Sequence, residues 1–386
     1  MIKSIKISFL RRGSKDIRLV AAAAFLTYIG FGIYGASFNN FASDVVHMRP
    51  DQLGLLESLR ETPGFLMAFV IALAMRVAEP KLGSAAMILM AVGFLGYSST
   101  SSYAHLVAYS VLWSVGLHIW MPLQSAMALA LSEEGQKGKR LGQIGSAAGL
   151  GTIIGIVMVL LIRQHLSFSA WYFIASCWMM AGAVTIWFVR RDLSPPNKPR
   201  LVWKRKYRLY YVLTFLEGCR KQVFITLAPF ILVKVYHAPL GVMATLMLIN
   251  NAVNLFGAPF IGKMIDRIGE RKILTASYAC LIPVFFGYAL VKAPIALYVL
   301  YCLDNLLYLS TYGITTYLNR ISDDGDLMAN LSMGVTVNHL AAVAVPLVGG
   351  ILWVKSGYQY TFVGGALVVM ISLMLVQKMR CAKLST

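Results

Sequence analysis

FIGKMIDRIGERKIL, residues 260–274, is a charged stretch between two long apolar runs of the sequence. Charged residues make up 13% of the 386 residues and hydrophobic residues 58%. A soluble protein of this length needs more polar surface to cover its core, whereas apolar runs of about 20 residues cross a bilayer as helices. The stretch is therefore typical of a loop between two membrane-spanning helices. Its charges are Lys263, Asp266, Arg267, Glu270, Arg271 and Lys272.

Apolar runs elsewhere in the chain predict an all-α membrane protein with twelve transmembrane helices. Each run ends at charged residues or at a Pro/Gly break. The predicted spans are residues 17–41, 51–75, 83–102, 105–131, 141–163, 169–189, 209–234, 240–262, 273–292, 294–319, 331–354 and 361–379.

A shift of 190 residues brings the two halves of the chain into register, which predicts two pseudo-symmetric six-helix bundles. VVH at 45–47 meets VYH at 235–237, and SEEG at 132–135 meets SDDG at 322–325. The alternative is that hairpins of similar length match by accident. The predicted domains are a cytoplasmic segment 1–18, a bundle 19–189, a basic linker 190–208, a bundle 209–379 and a tail 380–386.

Basic residues set the expected orientation and exclude several function classes. Most of the 35 Lys and Arg residues fall in alternate loops, which by the positive-inside rule places both termini in the cytoplasm. The net charge of +19 then requires no nucleic-acid partner. No cleavable signal is expected, and we find no metal set, phosphate-binding loop or nucleophile elbow. The sequence thus predicts a multi-pass plasma-membrane protein (the inner membrane in a bacterium), no enzyme and no cofactor.

The loop GKMIDRIGERK at 262–272 resembles the G-x-x-x-D-R-x-G-R-K signature of the major facilitator superfamily, which that family places between helices 8 and 9. Pro346-x-x-Gly349-Gly350 in helix 11 and the six-plus-six organisation resemble the same family. The resemblance implies a secondary transporter whose two bundles rock about a central site. The first signature copy is missing, because Arg76 stands where Asp266 stands in the second half.

The signs of the inner loops suggest two ionic latches between the halves. In the family, each signature loop faces the start of a helix in the other half. Basic residues precede helix 5 and acidic residues precede helix 11, so the charges are complementary at both places. The alternative is that these are ordinary loop charges. The predicted gating residues are Arg76, Asp266, Arg267, Arg271, Lys137, Arg140, Asp323 and Asp324.

Ionisable residues within predicted spans are candidates for substrate binding or proton coupling, because charge is costly inside a bilayer. Helices 2 and 7 each carry a glutamate followed three or four positions later by charged residues, a spacing that puts them on one helical face. The alternative is that such pairs only make insertion tolerable. The candidates are Glu57, Arg60 and Glu61 in helix 2, and Glu217, Arg220 and Lys221 in helix 7.

Asp304 in helix 10 has no basic residue within four positions, so it is either a titrating acid for proton coupling or the partner of Arg220 or Lys221. His339 in helix 11 is either a group that titrates near neutral pH or a packed neutral side chain. Further polar and aromatic candidates for the central cavity, or for helix–helix packing, are Gln124, Asn250, Asn251, Tyr308 and Tyr312.

The resemblance implies a secondary active transporter of a small organic solute that works in export as an antiporter, and the buried ionisable residues suggest that it is proton-coupled. The central bases favour a negatively charged substrate unless the neighbouring acids neutralise them. The alternatives are an uncoupled facilitator, an uptake permease, or a non-transporting sensor or assembly protein of the same fold. We expect a monomer whose partners are the lipid bilayer, protons and a small-molecule substrate.

Overall fold

The computed structural model describes residues 2–66, 78–132, 136–189, 204–323 and 326–379, which are helical and contain no strand. In the first half the helices are α1 Ile2–Asp44, α2 Pro50–Phe65, α3 Glu79–Ser99, α4 Tyr103–Ala130, α5 Lys137–Ile162 and α6 Phe168–Trp187. In the second half they are α7 (residues 208–234), α8 Leu240–Ile268, α9 Glu270–Leu290, α10 Pro294–Ile321, α11 Leu327–Ser356 and α12 Tyr358–Val376.

Each of the twelve predicted spans corresponds to a helix within the described residues, which confirms the all-α membrane fold. Ten of these helices are long and apolar enough to cross a bilayer. The other two are α2, whose predicted end at residue 75 lies outside the described residues, and α7, which carries three charged residues in its middle. Several helices extend beyond the apolar runs that predicted them. For example, α1 begins at Ile2 rather than at the predicted residue 17.

The contacts divide the chain into two compact units. The first contains the described residues of Met1–Val46 and Leu66–Asn197, and the second those of His47–Phe65 and Lys198–Thr386. In the first unit α1 packs on α5 and α6, and α3 packs on α6. In the second unit α7 packs on α11 and α12, α9 packs on α12, and α2 packs on α11. The same pairings six helices apart show the internal repeat.

The turn between α1 and α2 recurs between α7 and α8. His47 has φ 52° and His237 has φ 54°, an uncommon backbone conformation for a residue other than glycine. The amides of Val46 and Tyr236 each donate to the carbonyl five positions earlier. Two such turns at a separation of 190 residues support the repeat that the sequence predicts.

Large apolar side chains are exposed on helices of both units. Leu161 is 74% exposed, Phe256 75% and Ile295 76%. Extensive exposed apolar surface marks contact with a membrane or with another protein. Together with the lengths of the helices, this exposure fits surfaces that face lipid tails.

Helix α7 is interrupted by a π-helical turn at Val223–Leu227. The amide of Ala228 donates to the carbonyl of Val223, and Pro229, which follows, has no N–H to continue the ordinary helical pattern. The ring of Phe224 packs in this turn against aromatic rings from α9 and α12. Its partners are Phe285, Tyr288 and Phe362, at centroid distances of 4.9, 5.0 and 5.5 Å. The aromatic packing holds the irregular turn in place.

Two glycines allow α5 to lie directly against α1. A Cβ atom on Gly151 would sit 2.2 Å from the carbonyl oxygen of Phe25, and one on Gly155 would sit 2.2 Å from that of Ile29. Gly149, on the same helix, meets nothing within 4 Å. The α1–α5 contact is therefore a backbone contact that a larger residue would break.

We expect Gly155→Val to destabilise the protein by about 1–3 kcal/mol, because the added side chain overpacks this contact. Gly149→Val is the matched control, since it adds the same atoms to the same helix where space is open. The measurement is the thermal unfolding midpoint of both variants in one detergent. Equal midpoints for the two variants would contradict the packing argument.

Candidate functional site

A fully buried arginine organises the charged centre of the second unit. Arg220 on α7 has an exposed fraction of 0%. Its Nη2 lies 2.5 Å from Oε1 of Glu217, and its Nε donates to Oε2 of the same carboxylate over 3.0 Å. Its Nη1 donates to Oδ1 of Asp304 on α10 over 3.2 Å. One guanidinium therefore bridges two buried acids on two helices.

Local sequence accounts for one half of this arrangement and tertiary packing for the other. The spacing of three between Glu217 and Arg220 puts both side chains on one face of α7, and their predicted pairing is confirmed. Asp304 takes Arg220, rather than Lys221, as its partner. The hydroxyl of Tyr278 on α9 donates to Oε2 of Glu217 over 3.1 Å. Tyr278 was not among the predicted site residues, because a tyrosine in an apolar helix carries no local signal of this role.

The cluster has an unbalanced charge. If both carboxylates are ionised, Glu217, Arg220 and Asp304 carry one net negative charge. An uncompensated charge is expensive at a buried position. A single proton on either carboxylate removes it. The arrangement is thus chemically capable of holding and releasing one proton.

Lys221 lies at the edge of the cluster. Its Nζ is 5.6 Å from the ring centroid of Tyr308, and the guanidinium carbon of Arg220 is 5.2 Å from the same centroid. Both distances fall in the cation–π range. Among the described residues, Lys221 forms no ion pair with a carboxylate, although Glu217 is only four positions away. Tyr312, one turn beyond Tyr308, is 45% exposed.

The charged residues of α2 are organised against α11 in the same unit. Arg60 pairs with the buried Glu57 within α2, as the sequence predicts. Nδ1 of His339 lies 3.3 Å from Oε2 of Glu61. One turn away, the hydroxyl of Ser58 donates to the carbonyl of Val343 over 2.6 Å. His339 therefore has an acidic neighbour that no local pattern indicated.

The other polar candidates do not join the Arg220 cluster. In the first unit, the amide of Gln124 donates to the Tyr28 hydroxyl over 3.4 Å. On α8, Asn251 donates to the carbonyl of Met247 in its own helix over 2.9 Å. The carbonyl of Asn250 accepts from the side chain of Asn305 on α10 over 3.2 Å. These bonds fit the packing alternative.

Within the stretch at 260–274, a single residue forms the turn between two helices. α8 ends at Ile268, α9 begins at Glu270, and Gly269 between them has φ 87°, a conformation that glycine adopts without strain. Glu270 is buried and its Oε1 accepts from Nε of Arg320 over 2.7 Å. This ion pair ties the start of α9 to the end of α10, and nothing in the local sequence predicts it, because the two residues are 50 positions apart.

The predicted gating residues have varied surroundings. Asp266, Arg267 and Lys137 are exposed. Arg140 donates to Gln143 in its own helix over 3.0 Å, and Arg271 donates to Gln377 over 3.2 Å. Arg76 and Asp324 lie outside the described residues. The two latches stay a prediction.

Asp323 and Asp326 form a clamp with the segment that precedes α7. Nζ of Lys204 lies 2.5 Å from Oδ2 of Asp326, and Lys206 pairs with Asp323. The Tyr207 hydroxyl donates to Oδ2 of Asp326 over 3.0 Å. The hydrogen bonds from Lys204 and Lys206 hold the pKa of Asp326 and Asp323 below the usual value. The same bonds raise the pKa of both lysines.

This clamp should make stability depend on pH at both ends of the scale. The acids have lowered pKa values, so their contribution is complete above the ordinary aspartate pKa of about 3.9 and is lost as the pH falls further. The lysines have raised pKa values, so their contribution is complete below about 10.4 and is lost as the pH rises through the raised values. We expect wild type to unfold at a higher temperature than Asp326→Asn at pH 7, and this difference to shrink below pH about 4. A constant difference from pH 7 to pH 3 would contradict the assignment.

Known proteins resemble this chain in sequence and in fold. A multi-drug resistance efflux pump PmrA homolog of Lactococcus lactis subsp. lactis (strain IL1403) is 22% identical over 297 residues, which are 69% of this chain and 71% of that protein. An uncharacterized MFS-type transporter of Methanocaldococcus jannaschii is 24% identical over 303 residues, 72% of this chain and 75% of that protein.

Two crystal structures share the fold over nearly the whole chain. A mutant of the nucleoside transporter NupG has a TM-score of 0.80 at 10% identity and covers 94% of this chain and 99% of its own. A bacterial homolog to the human lysosomal transporter Spinster has a TM-score of 0.76 at 12% identity and covers 94% and 95%. At these identities the likeness is one of fold alone.

The sequence model of the Major Facilitator Superfamily matches residues 20–318 and 212–380. These matches cover well over half of the chain, and they include the 262–272 loop whose pattern resembles the family signature. The twelve-helix fold agrees with them. The chain therefore belongs to the Major Facilitator Superfamily and is a membrane transporter, not an enzyme.

Proposed function

We propose that this transporter moves a small organic solute in a proton-coupled cycle and that it works in export. The observation that carries the proposal is the pair of buried acids on one guanidinium, Glu217 and Asp304 on Arg220. A transporter that needed only to insert this region into the membrane would not place three ionised groups there. These three buried groups are one proton short of neutrality, which is a means of coupling proton binding to solute binding.

The groups around Asp304 support its role as the acid that exchanges the proton. It faces Arg220 and Glu217 of α7, and Tyr288 of α9 and Tyr301 of its own helix lie close enough to interact with it electrostatically. Only Arg220 among these groups is positive. Protonation of Asp304 would weaken its ion pair with Arg220, a local change to which solute binding at the same cluster can be coupled.

Export is supported by the similarity to a protein that is named an efflux pump. We also propose that both termini face the cytoplasm, that the membrane is the plasma membrane (the inner membrane in a bacterium), and that the working unit is a monomer. The basic residues of the alternate loops support the orientation.

The test is a proton signal on addition of a solute to the purified protein. Full-length protein in weakly buffered detergent is titrated with a panel of small organic solutes in the presence of a pH indicator. A solute-dependent signal would support coupling. Release of a proton would correspond to the antiport that the sequence predicts, and uptake would correspond to co-transport. Solute binding without any proton signal would overturn coupling in favour of a facilitator.

A transporter reconstituted in liposomes tests the direction. Solute loaded into the compartment that corresponds to the cytoplasm should leave it, and an imposed proton gradient should speed this exit. Protons moving into that compartment would do so in antiport, and protons moving out of it would do so in co-transport. Absence of both binding and flux across the panel, in protein shown to be folded, would favour the non-transporting alternative.

A further inference from the structure

Lys221 is the one basic residue of the Arg220 cluster without a carboxylate partner among the described residues. Arg220 takes both acids, Glu217 and Asp304. Lys221 is half-buried, and its ammonium lies over the ring of Tyr308 at 5.6 Å. A cation–π contact compensates only part of the loss of water around an ammonium. Lys221 is therefore placed to pair with one anion.

Tyr308, whose ring Lys221 contacts, is followed along α10 by a second tyrosine, Tyr312. Asp304 and Tyr308 lie four positions apart on α10, and Tyr312 follows one further turn away. The exposed fraction rises from 6% at Asp304 to 45% at Tyr312. A solute that reaches Lys221 would thus pack its body against tyrosine rings, which offer large apolar faces.

We propose that the substrate is a small organic anion with an apolar or aromatic body. Lys221 pairs with its negatively charged end, and Tyr308 and Tyr312 pack against its body. The proposal rests on the proposed function, because it assigns the substrate class of the same cluster. An ammonium is a point charge without a preferred fork geometry, so carboxylates and phosphate-type oxyanions share the chemistry that it recognises.

Charge balance links this anion to the proton. Glu217, Arg220 and Asp304 together carry one net negative charge when both acids are ionised. Lys221 at the edge of this set carries the balancing positive charge, and an anion that pairs with Lys221 takes that charge up. A bound anion adds one negative charge, and one proton on either acid restores neutrality. Anion and proton should therefore bind together, which favours co-transport of the acid with its proton over the antiport expected from the sequence. Export would then be driven by a high internal concentration of the substrate.

The experiment compares matched acids and amides. Full-length protein in detergent is titrated with aryl-alkanoates, their neutral carboxamides and the corresponding phosphonates, with 3-phenylpropanoate and its amide as the first pair. Wild type should bind at least one acid about tenfold or more tightly than its amide, a difference that corresponds to 1.4 kcal/mol. The carboxylate and phosphonate arms identify which oxyanion is preferred.

Variants test whether Lys221 causes the preference for the acid over the amide. Lys221→Gln should abolish the difference between acid and amide, and Lys221→Arg should retain much of it. Lys292→Gln removes the same charge from an exposed position between α9 and α10 and should bind like wild type. Unfolding midpoints are measured for every variant, and Lys221→Met replaces Lys221→Gln if the latter does not fold.

Two results would overturn the anion site: equal affinities for every acid and amide in wild type, or an unchanged preference in Lys221→Gln. Its failure is distinguishable from failure of the proposed function. A proton signal with no preference for acids would leave coupling intact and remove the anion site. Acid preference without proton uptake would leave the anion site intact and remove coupling.

Discussion

Asp304→Asn should abolish proton-driven transport, whereas exchange of labelled for unlabelled solute across the membrane should remain intact. The amide has the shape of the protonated acid and has an oxygen that still accepts from Arg220, but it cannot give up a proton. The variant is therefore held in one of the two charge states of the cluster. We expect the proton-driven solute gradient to fall by about tenfold or more, the change that 1.4 kcal/mol of lost driving force produces.

Two assays on the same liposomes separate coupling from transport. The first measures movement of solute against its gradient under an imposed pH difference. The second measures exchange of labelled for unlabelled solute with no net proton movement. Asp44→Asn makes the same chemical change at an exposed position at the end of α1 and should behave as wild type in both. Persistent uphill transport in Asp304→Asn would remove Asp304 from the proton path.

Arg220→Gln should be the most destabilising single substitution in the cluster. It leaves Glu217 and Asp304 buried without their shared base. Removing one partner of a buried ion pair costs about 3–5 kcal/mol, because the remaining charge is uncompensated. We expect a large fall in the unfolding midpoint in detergent, with loss of transport. Arg208→Gln, at an exposed position on the same helix, is the control and should unfold close to wild type.

Neutralising the two acids tests directly whether uncompensated buried charge causes the instability of Arg220→Gln. The triple variant Arg220→Gln, Glu217→Gln and Asp304→Asn removes the unpaired charges together with the arginine. Its unfolding midpoint should recover most of the loss seen in Arg220→Gln, because neutral amides at buried positions avoid the charge penalty. Proton-driven transport should not recover, since no proton carrier remains. If the triple variant is as unstable as Arg220→Gln, packing rather than charge holds this region together.

Much of the fold was predictable from local features of the chain. Apolar runs predicted the twelve helices, since a helix is the form in which one segment satisfies its own backbone in a membrane. The charged stretch at 260–274 predicted a loop, and a glycine with φ 87° forms its turn. Intrahelical pairs such as Glu217–Arg220 followed from spacing alone, because residues three apart share a helical face.

The partners between helices could not be predicted in the same way. Asp304 is 84 positions from Arg220, and Tyr278 is 61 positions from Glu217. The clamp between Lys204 and Asp326 spans 122 positions. Even the placement of α2, whose described residues pack with the second unit, depends on its contact with α11.

The sequence by itself therefore determined the helices, the loop at Gly269 and which helices carry charge. Tertiary structure alone decided that Asp304 pairs with Arg220 and that the ammonium of Lys221 lies over the ring of Tyr308. The physical reason is that helix formation and intrahelical pairing depend on neighbours within about one turn. The pairing of buried charges depends instead on the rotation and depth at which packed helices meet, and no short stretch of sequence specifies either.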